Sequence, residues 1–489
     1  MTGQVLQDHS MLEFIAPSAS IVDVNDGRTY DRPSLMSSIA ARAEEMRSAG
    51  LDLGDRIVIA PRSPAASLID LFSAWQIGVT VVMVSPGLTP DERTNVAATT
   101  RARAWAGEEG CAHAIHLKSA VIEESRREPC LPAARLPLDG AALILLTSGT
   151  TSAPKGVVHS LRSLMARLAL NRAYIEAEDL SQTLSILPMH FGHGLIGNSL
   201  TPLSAGARLA LWPEPGVAGL SRLGSTLDEL GITFMSSVPS VWRVALRLSP
   251  RPSRGTLRRI HIGSAPLAAD LWDQVAEWAG IRRVLNMYGI TETANWIGGH
   301  SLEDGAAVDG LVGRPWGGTY AILSPGNVVE GTGRGPILAS TPSRMIGYFE
   351  REDLNASAFA GPWFITGDHG EIDASGNLRL EGRRQNEINR GGLKVPAEEV
   401  DLLLERHPDV VEACAFPIED AIAGEIVGAA VVLAPEQNIS ESDLIGWCTG
   451  RIRSEAVPSR IFILKGLPRN DRGKLNRDVV KRAALEAVK

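Results

Sequence analysis

The sequence has no apolar run long enough to cross a bilayer, and only four of its 489 residues are cysteines. A membrane-spanning helix needs about 20 apolar residues in succession, so no span is expected. The cysteines are scattered and form no C-x-x-C pair, which favours reduced thiols over disulfides or a zinc site. The N-terminal residues lack the basic and then apolar segments of a secretory signal. These absences predict a soluble, cytoplasmic protein.

An excess of positive charge is also lacking. The formal net charge is −8, which argues against a general nucleic-acid binder, because such a protein needs a basic surface. It leaves room for a local basic patch that binds a phosphorylated ligand. The apolar content of 44% over 489 residues is sufficient for two or three domains with a large core.

Segments typical of helices and strands alternate near the N-terminus. Residues 35–49 and 65–78 have helical periodicity, whereas Arg56–Ala60 and residues 79–84 are short apolar runs typical of buried strands. Alternation of this kind predicts a mostly parallel sheet with crossover helices. The predicted fold class is therefore α/β.

Hydroxyl-bearing residues and glycine are concentrated at residues 147–156. An apolar run at residues 141–146 predicts a strand before them, and residues 157–172 have leucines at helical spacing. A strand, a polar loop and a helix would turn backbone N–H groups toward an anion. The candidate polyphosphate-binding residues are Thr147, Ser148, Gly149, Thr150, Thr151 and Lys155. Their spacing differs from that of the Walker loop, because Lys155 is followed by Gly156 and not by a hydroxyl.

Further polar motifs follow in order at residues 260–266, 284–293, 363–368, 382–396 and 467–477. With the hydroxyl-rich loop, they resemble the adenylate-forming superfamily of acyl- and aryl-CoA synthetases, peptide-synthetase adenylation domains and luciferase-like enzymes. The resemblance is greatest to aryl and benzoate CoA ligases. It implies a ligase that uses ATP and Mg²⁺ to convert a carboxylic acid into an acyl-adenylate. The acyl group would then pass to a thiol of CoA or of a pantetheinyl carrier protein.

The resemblance also assigns roles to residues. The small residues Gly263, Ser264, Ala265 and Pro266, with Met287, Tyr288 and Gly289, would hold adenine. Thr291 would contact the α-phosphate, Glu292 would bind Mg²⁺ through oxygen, and Asp368 would bind the ribose hydroxyls. Arg383 would reach the ribose or a phosphate. Lys474 would be the catalytic lysine. Gly391, Gly392 and Lys394 would meet the thiol arm.

The same resemblance predicts an N-terminal adenylation core at residues 1–382 and a small mobile α+β lid at residues 383–489. The hinge would lie near Gln385, where the family usually has Asp or Lys, and Asn386 also replaces a usual acid. A helix starting at Pro396 and strands at residues 410–416 and 425–433 are expected in the lid.

The acyl pocket is predicted to include His190, Phe191, Val238, Trp242 and Trp296. Peptide-synthetase domains carry an Asp near Phe191 that holds the substrate ammonium group, and its absence here favours an aromatic or small apolar acid. Two alternatives stay open: an adenylate-forming enzyme with a non-thiol acceptor such as an amine, and a nucleotide-binding or carrier-docking protein with degraded catalysis. The oligomeric state is also open, with a homodimer as one candidate.

Overall fold

The computed structural model describes residues 14–60, 63–111, 114–129, 135–147, 155–213, 215–325, 327–383, 386–390, 393–420, 424–469 and 475–487, without the side chains of Arg383 and Lys394. Its strands are β1 Ser20–Asp23, β2 Thr29–Asp31, β3 Arg56–Ala60, β4 Thr80–Met83, β5 Ala104–Gly107, β6 Ile115–Leu117, β7 Ala141–Thr147, β8 Lys155–Ser160, β9 Gln182–Ser185, β10 Arg208–Leu211, β11 Phe234–Ser237, β12 Arg259–Gly263, β13 Val284–Ile290, β14 Asn295–Ser301, β15 Leu311–Pro315, β16 Thr319–Ser324, β17 Asn327–Glu330, β18 Gly333–Ser340, β19 Gly347–Tyr348, β20 Phe359–Ala360, β21 Trp363–Ile372, β22 Leu378–Arg383, β23 Glu387–Arg390, β24 Leu393–Pro396, β25 Val410–Asp420, β26 Gly424–Leu433 and β27 Arg460–Ile463.

The α-helices are α1 Arg32–Ser48, α2 Pro64–Ile77, α3 Pro90–Thr100, α4 Leu161–Tyr174, α5 Ala177–Leu180, α6 Thr201–Ser204, α7 Gly216–Leu220, α8 Leu223–Leu230, α9 Pro239–Leu248, α10 Ala269–Ala279, α11 Glu352–Ala358, α12 Ala397–Glu405, α13 Glu441–Cys448 and α14 Arg477–Glu486. A π-helix spans His193–Leu200, and 3₁₀ turns span Thr291–Thr293 and Ser454–Ala456. None of the helices in the described ranges is long and apolar enough to cross a membrane.

Two large mixed sheets form most of the molecule. In the first, β1, β10, β9, β11, β12 and β13 are neighbours in parallel register, and β14 to β18 and β20 to β22 extend it in antiparallel register. In the second, β6, β5, β3, β4 and β7 are parallel, and β8 and β19 close it in antiparallel register. Helices pack on both, so the α/β class is confirmed, with mixed sheets.

The predicted strand, loop and helix at the hydroxyl-rich stretch is wrong in its second half. Residues 155–160 form β8, which pairs antiparallel with β7 in a register that sets Thr147 opposite Lys155. The β-branched residues Val157 and Val158 are buried in the sheet, as suits strand geometry. The helix α4 begins only at Leu161, where the Ser160 side chain caps it. The loop thus joins two strands of a hairpin and does not lead into a helix N-terminus.

The glycine-containing segment that follows β9 is also regular. It forms the π-helix His193–Leu200, whose apolar side chains are buried. Side-chain hydroxyls support the wider turn: Ser199 Oγ donates to Gly194 O at 2.8 Å, and Thr201 Oγ1 donates to Ile196 O at 2.8 Å. Burial of the apolar side decides the conformation here, and the two glycines do not prevent it.

A third sheet, of β24, β23, β26, β25 and β27, forms the C-terminal part with α12, α13 and α14. It has its own apolar core, which includes Ile388, Val400 and Val431. The predicted helix and strands of this part are present as α12, β25 and β26. The described cysteines Cys111, Cys414 and Cys448 are buried free thiols.

Candidate active site

The hairpin of β7 and β8 carries the described end of the phosphate loop. Thr147 Oγ1 donates to Lys155 O at 3.3 Å, so the two residues that flank the loop are fixed side by side. The predicted ligands Ser148, Gly149, Thr150 and Thr151 lie outside the described residues. The Lys155 ammonium group lies over the Tyr348 ring, 5.6 Å from its centroid.

Tyr348 connects this lysine to the predicted metal ligand. Its hydroxyl donates to Glu292 Oε1 at 2.9 Å, while its ring faces Lys155. Sequence analysis missed Tyr348, because the short strand β19 that carries it has no pattern of its own. Its pairing with β8 brings Tyr348 opposite Val157.

The 3₁₀ turn Thr291–Thr293 is held by hydrogen bonds to its backbone carbonyls. His159 Nε2 donates to Thr291 O at 2.8 Å, and Met345 N donates to Glu292 O at 2.8 Å. Burial lowers the pKa of His159 to about 4, so this ring is neutral and serves as a fixed donor. Ala294 and Asn295, the next two residues, have φ of 60° and 116°. Left-handed backbone is unfavourable for such side chains, and persists where the surroundings hold it.

Asp368 is hydrogen-bonded to Tyr288 of β13, the strand that leads into this turn. The Tyr288 hydroxyl donates to Asp368 Oδ2 at 2.6 Å, and both side chains are buried. Burial and the neighbouring Asp368 raise the pKa of Tyr288 well above its usual range, so it keeps its proton and remains a donor. Arg383 lies opposite Asp368 in the register of β21 and β22. Asp368 and Arg383 are therefore neighbours across two adjacent strands. Tyr288, which bonds Asp368, lies three residues before the Thr291–Thr293 turn.

The end of β12, where the small-residue turn begins, lies very close to β13. Gly263 lies opposite Met287, and a Cβ on this glycine would come within 2.9 Å of the Met287 carbonyl oxygen. Ser264, Ala265 and Pro266 are exposed at the strand end. Ser264 adopts φ of 68°, which sends the chain sharply away from the sheet.

A histidine that sequence analysis did not select links this turn to the acyl pocket. His193, the first residue of the π-helix, shares hydrogen bonds with Ser264 Oγ at 2.8 Å and with Ser236 Oγ at 2.6 Å. Its ring meets Trp296 edge to face at 5.5 Å. Two hydroxyls, one on β11 and one in the turn after β12, thus fix the plane of the imidazole ring. Sequence analysis could not find these bonds, because both partners are distant in sequence.

Trp296 is the centre of an aromatic cluster at this place. It is buried and packs edge to face against His261 at 4.7 Å and Phe234 at 6.4 Å. Gly197 of the π-helix approaches it closely, since a Cβ there would come within 2.9 Å of the Trp296 ring. The backbone of the π-helix therefore packs directly against the side chains of Asn295 and Trp296 of β14.

The other predicted pocket residues make their described ring contacts elsewhere than with Trp296. His190 and Phe191 are in ring contact at 4.0 Å. Trp242 is fully buried in the core, where it packs against Trp278 at 5.4 Å and donates from Nε1 to Ser237 Oγ at 2.7 Å. Val238 immediately precedes its helix, α9. Gly391, Gly392, Lys474 and the hinge residue Gln385 lie outside the described residues, as does the side chain of Lys394.

Within the described ranges, two ion pairs connect the C-terminal part to the rest. Arg243 of α9 bonds Glu405 at the end of α12, and Arg406 bonds Asp309. Burial raises the pKa of Glu405 to about 7, although Arg243 acts in the opposite direction.

Comparison with known proteins identifies the family. The family profile described as AMP-binding enzyme matches residues 17–349, and that of the AMP-binding enzyme C-terminal domain matches residues 399–474. The chain belongs to the AMP-binding enzymes. The oxalate–CoA ligase of Arabidopsis thaliana is 33% identical over 71% of this chain and 68% of its own length. The 2-succinylbenzoate–CoA ligase of Geobacillus kaustophilus is 27% identical over 96% of both chains.

This AMP-binding enzyme also shares its fold with solved structures. The o-succinylbenzoate CoA synthetase of Bacillus subtilis, in complex with ATP and magnesium, superposes with a TM-score of 0.83 at 24% identity, covering 94% of this chain and 96% of that one. The predicted superfamily, the α/β fold with a large N-terminal and a small C-terminal part, and the class of an ATP-dependent, AMP-forming acid–thiol ligase are thereby confirmed.

Proposed function

We propose that this enzyme activates an aromatic carboxylic acid with ATP and passes the acyl group to CoA. The observation that carries the proposal is the contact of Tyr348 with both Lys155 and Glu292, because it joins the phosphate loop to the metal-binding motif. The contact of Tyr288 with Asp368 adds the ribose motif to the same cleft. The CoA ligase names of the relatives support CoA as the acceptor.

Each motif has a part of the nucleotide to bind. Thr147, Ser148, Gly149, Thr150, Thr151 and Lys155 hold the departing pyrophosphate, and the turn at Gly263–Pro266 with Met287 and Gly289 receives adenine. Asp368 accepts from the ribose hydroxyls with Arg383 beside it. Thr291 donates to the α-phosphate.

Mg²⁺ fits Glu292. A hard cation prefers oxygen ligands and commonly binds one carboxylate together with phosphate oxygens and water. Tyr348 orients the Glu292 carboxylate from one side, at Oε1. When bound, the metal neutralises charge on the phosphate oxygens.

The first half-reaction joins two anions, so charge must be neutralised where it develops. A carboxylate oxygen bonds to the α-phosphorus while the bond from that phosphorus to pyrophosphate breaks. Lys474 bridges the attacking carboxylate and the α-phosphate. No general base is needed, because the nucleophile is already ionised. In the second half-reaction the thiol sulfur bonds to the acyl carbon, the thiol proton is released and AMP leaves.

The proposal also includes the division of the chain into two domains. Residues 1–382 form the adenylation core, residues 383–489 form the lid, and rotation near Gln385 exchanges Lys474 for Gly391, Gly392 and Lys394. A carrier-protein acceptor and a homodimer stay predictions.

An aromatic acid suits the pocket better than a second carboxylate does. Trp296, His193 and Phe234 present rings, which bind a flat apolar group well. Arg259, the cation that contacts His261, is already paired with Asp179 at 3.3 Å. A dicarboxylic acid would need a cation that is not neutralised in this way.

A screen of pyrophosphate release over aromatic, short-chain, dicarboxylic and long-chain acids, with and without CoA, tests the proposal. We expect release with aromatic acids, and mass spectrometry should detect the acyl-CoA only when CoA is present. His193→Ala should raise KM for the acid, with His116→Ala, at an exposed site, as the control. Pyrophosphate release without a thioester would favour a non-thiol acceptor, and no release with any acid would favour degraded catalysis.

A further inference from the structure

Arg167 is a buried cation without a carboxylate partner. It lies in α4 with no exposed surface, and the ion pairs of the described residues do not include it. Burial lowers its pKa to about 10, and only tyrosine hydroxyls act against that effect. Arginine is rarely fully buried unless it is paired, because desolvation of the charge is costly. Its position therefore calls for a function that outweighs this cost.

The guanidinium group is directed at one hydroxyl. Nε donates to Ser343 Oγ at 3.0 Å and Nη2 donates to the same oxygen at 2.5 Å. Nη2 also donates to Thr341 Oγ1 at 3.0 Å. Trp316 O is the remaining partner, at 3.4 Å from Nη1. A guanidinium fork can thus fix both position and direction of the group it contacts.

Ser343 transmits this constraint to the turn that carries Glu292. Its hydroxyl donates to Thr293 O at 2.9 Å. A hydroxyl has one proton and two acceptor sites. With two N–H groups of Arg167 on its acceptor side, the Ser343 proton is directed at the Thr293 carbonyl. The charge of Arg167 also strengthens this hydrogen bond by polarising the hydroxyl.

The three carbonyls of the turn are then all fixed. His159 holds Thr291 O and Met345 N holds Glu292 O, as described above, and Ser343 holds Thr293 O. The chain becomes left-handed directly after Thr293. A turn that precedes unfavourable backbone geometry needs external support to keep one conformation.

We propose that Arg167 is a positioning residue for Thr291 and Glu292, acting through Ser343. The inference rests on the proposed function, which assigns the α-phosphate to Thr291 and Mg²⁺ to Glu292. Arg167 does not touch the nucleotide. It sets the orientation of the turn whose side chains do.

The primary test measures binding of ATP by calorimetry, with Mg²⁺ and with EDTA. Arg167→Met keeps a long apolar side chain and removes the charge and all donors, and Ser343→Ala removes the relay alone. Both should weaken binding of ATP in the presence of Mg²⁺ by about tenfold or more, since small displacements of binding groups have large effects. Binding in EDTA should change much less. The double variant should be no weaker than the more affected single variant, because the two residues act in series.

Stability separates positioning from a structural role. Replacing a buried, unpaired charge by an apolar group is often neutral or stabilising, so Arg167→Met should keep or raise Tm while Mg²⁺-dependent binding falls. Arg167→Lys, which restores the charge with fewer donors, should recover part of the affinity. Arg172→Met, at an exposed site on the same helix that donates to Ser204 O, is the matched control and should bind as the wild type does.

Two outcomes would overturn the inference. In one, Arg167→Met lowers Tm and weakens binding equally with Mg²⁺ and with EDTA. In the other, Glu292→Gln weakens Mg²⁺-dependent binding while Arg167→Met and Ser343→Ala do not. If Glu292→Gln itself has no effect, the metal assignment in the proposed function is what fails, so the two failures are distinguishable.

Discussion

The nucleotide cleft and the junction with the C-terminal part are held together by different kinds of contact. In the cleft, short buried side chains bond backbone carbonyls, as His159 does with Thr291, and a buried tyrosine bonds Asp368. At the junction, long side chains form ion pairs, and that of Arg406 with Asp309 is partly exposed at 40% and 30%. Exposed ion pairs contribute about 0–1 kcal/mol, whereas buried hydrogen bonds are costly to break. The cleft is thus suited to one fixed geometry, whereas the exposed Arg406–Asp309 pair adds little to the stability of the junction.

The largest effect should come from the residue that the lid is proposed to deliver. Lys474→Ala should lower the rate of adenylate formation by a factor on the order of 10²–10³, because it removes a positioned charge from the transition state. ATP binding should stay largely intact. Pyrophosphate exchange and calorimetry measure the two properties, with Lys465→Ala, an exposed lid position, as the control. Exchange at the wild-type rate would remove Lys474 from the mechanism.

Within the cleft, Asp368→Asn should raise KM for ATP by roughly tenfold or more, since hydrogen bonds to a charged group contribute about 1.5–3 kcal/mol. Tyr288→Phe should have a smaller effect in the same direction, because it removes one donor from the carboxylate but leaves the charge. Initial rates over a range of ATP concentrations measure both. Asp353→Asn, at an exposed ion pair, is the control. An unchanged KM in Asp368→Asn would contradict the ribose assignment.

The smallest effect should be the pH dependence of the junction. Burial raises the pKa of Glu405 to about 7, above its ordinary value of 4.5. Its contribution to stability is therefore fully present below about pH 4.5 and is lost as pH rises through about 7. Glu405→Gln should reduce the fall in stability between pH 5 and 8 by on the order of 1 kcal/mol. Urea unfolding at several pH values measures this.

The control for that experiment lies on the same helix. Glu399 pairs with Arg453 at 2.9 Å and is 36% exposed, so Glu399→Gln is the matched control on α12. A wild-type profile for Glu405→Gln would show that the carboxyl group titrates normally at the junction.

Local pattern was sufficient for the strands and for the order of the motifs. The strand at residues 141–147 and the helix after Pro396 follow from apolar periodicity and from proline at a helix start. The prediction of a helix from Val157 was wrong. The helical spacing of leucines begins only at Leu161, and the residues before it pair with β7. The π-helix was not predicted, because two glycines interrupt its short run of apolar residues, which are buried in the structure.

The supporting residues could not be predicted in the same way. Tyr348 lies 56 residues from Glu292, and Ser343 lies 176 residues from Arg167. A single serine, tyrosine or arginine is common, and nothing beside it in the chain marks its partner. Contacts of this kind depend on which strands become neighbours, and that is decided by the packing of the whole sheet.

Gly197 has a consequence for how the acid specificity of this chain can change. With no side chain at Gly197, the backbone of the π-helix that carries His193 packs directly against the side chains of Asn295 and Trp296 on β14. A methyl group at position 197 would push both apart at once. In the proposed acyl pocket, the distance between His193 and Trp296 is therefore limited by the absence of a side chain at position 197.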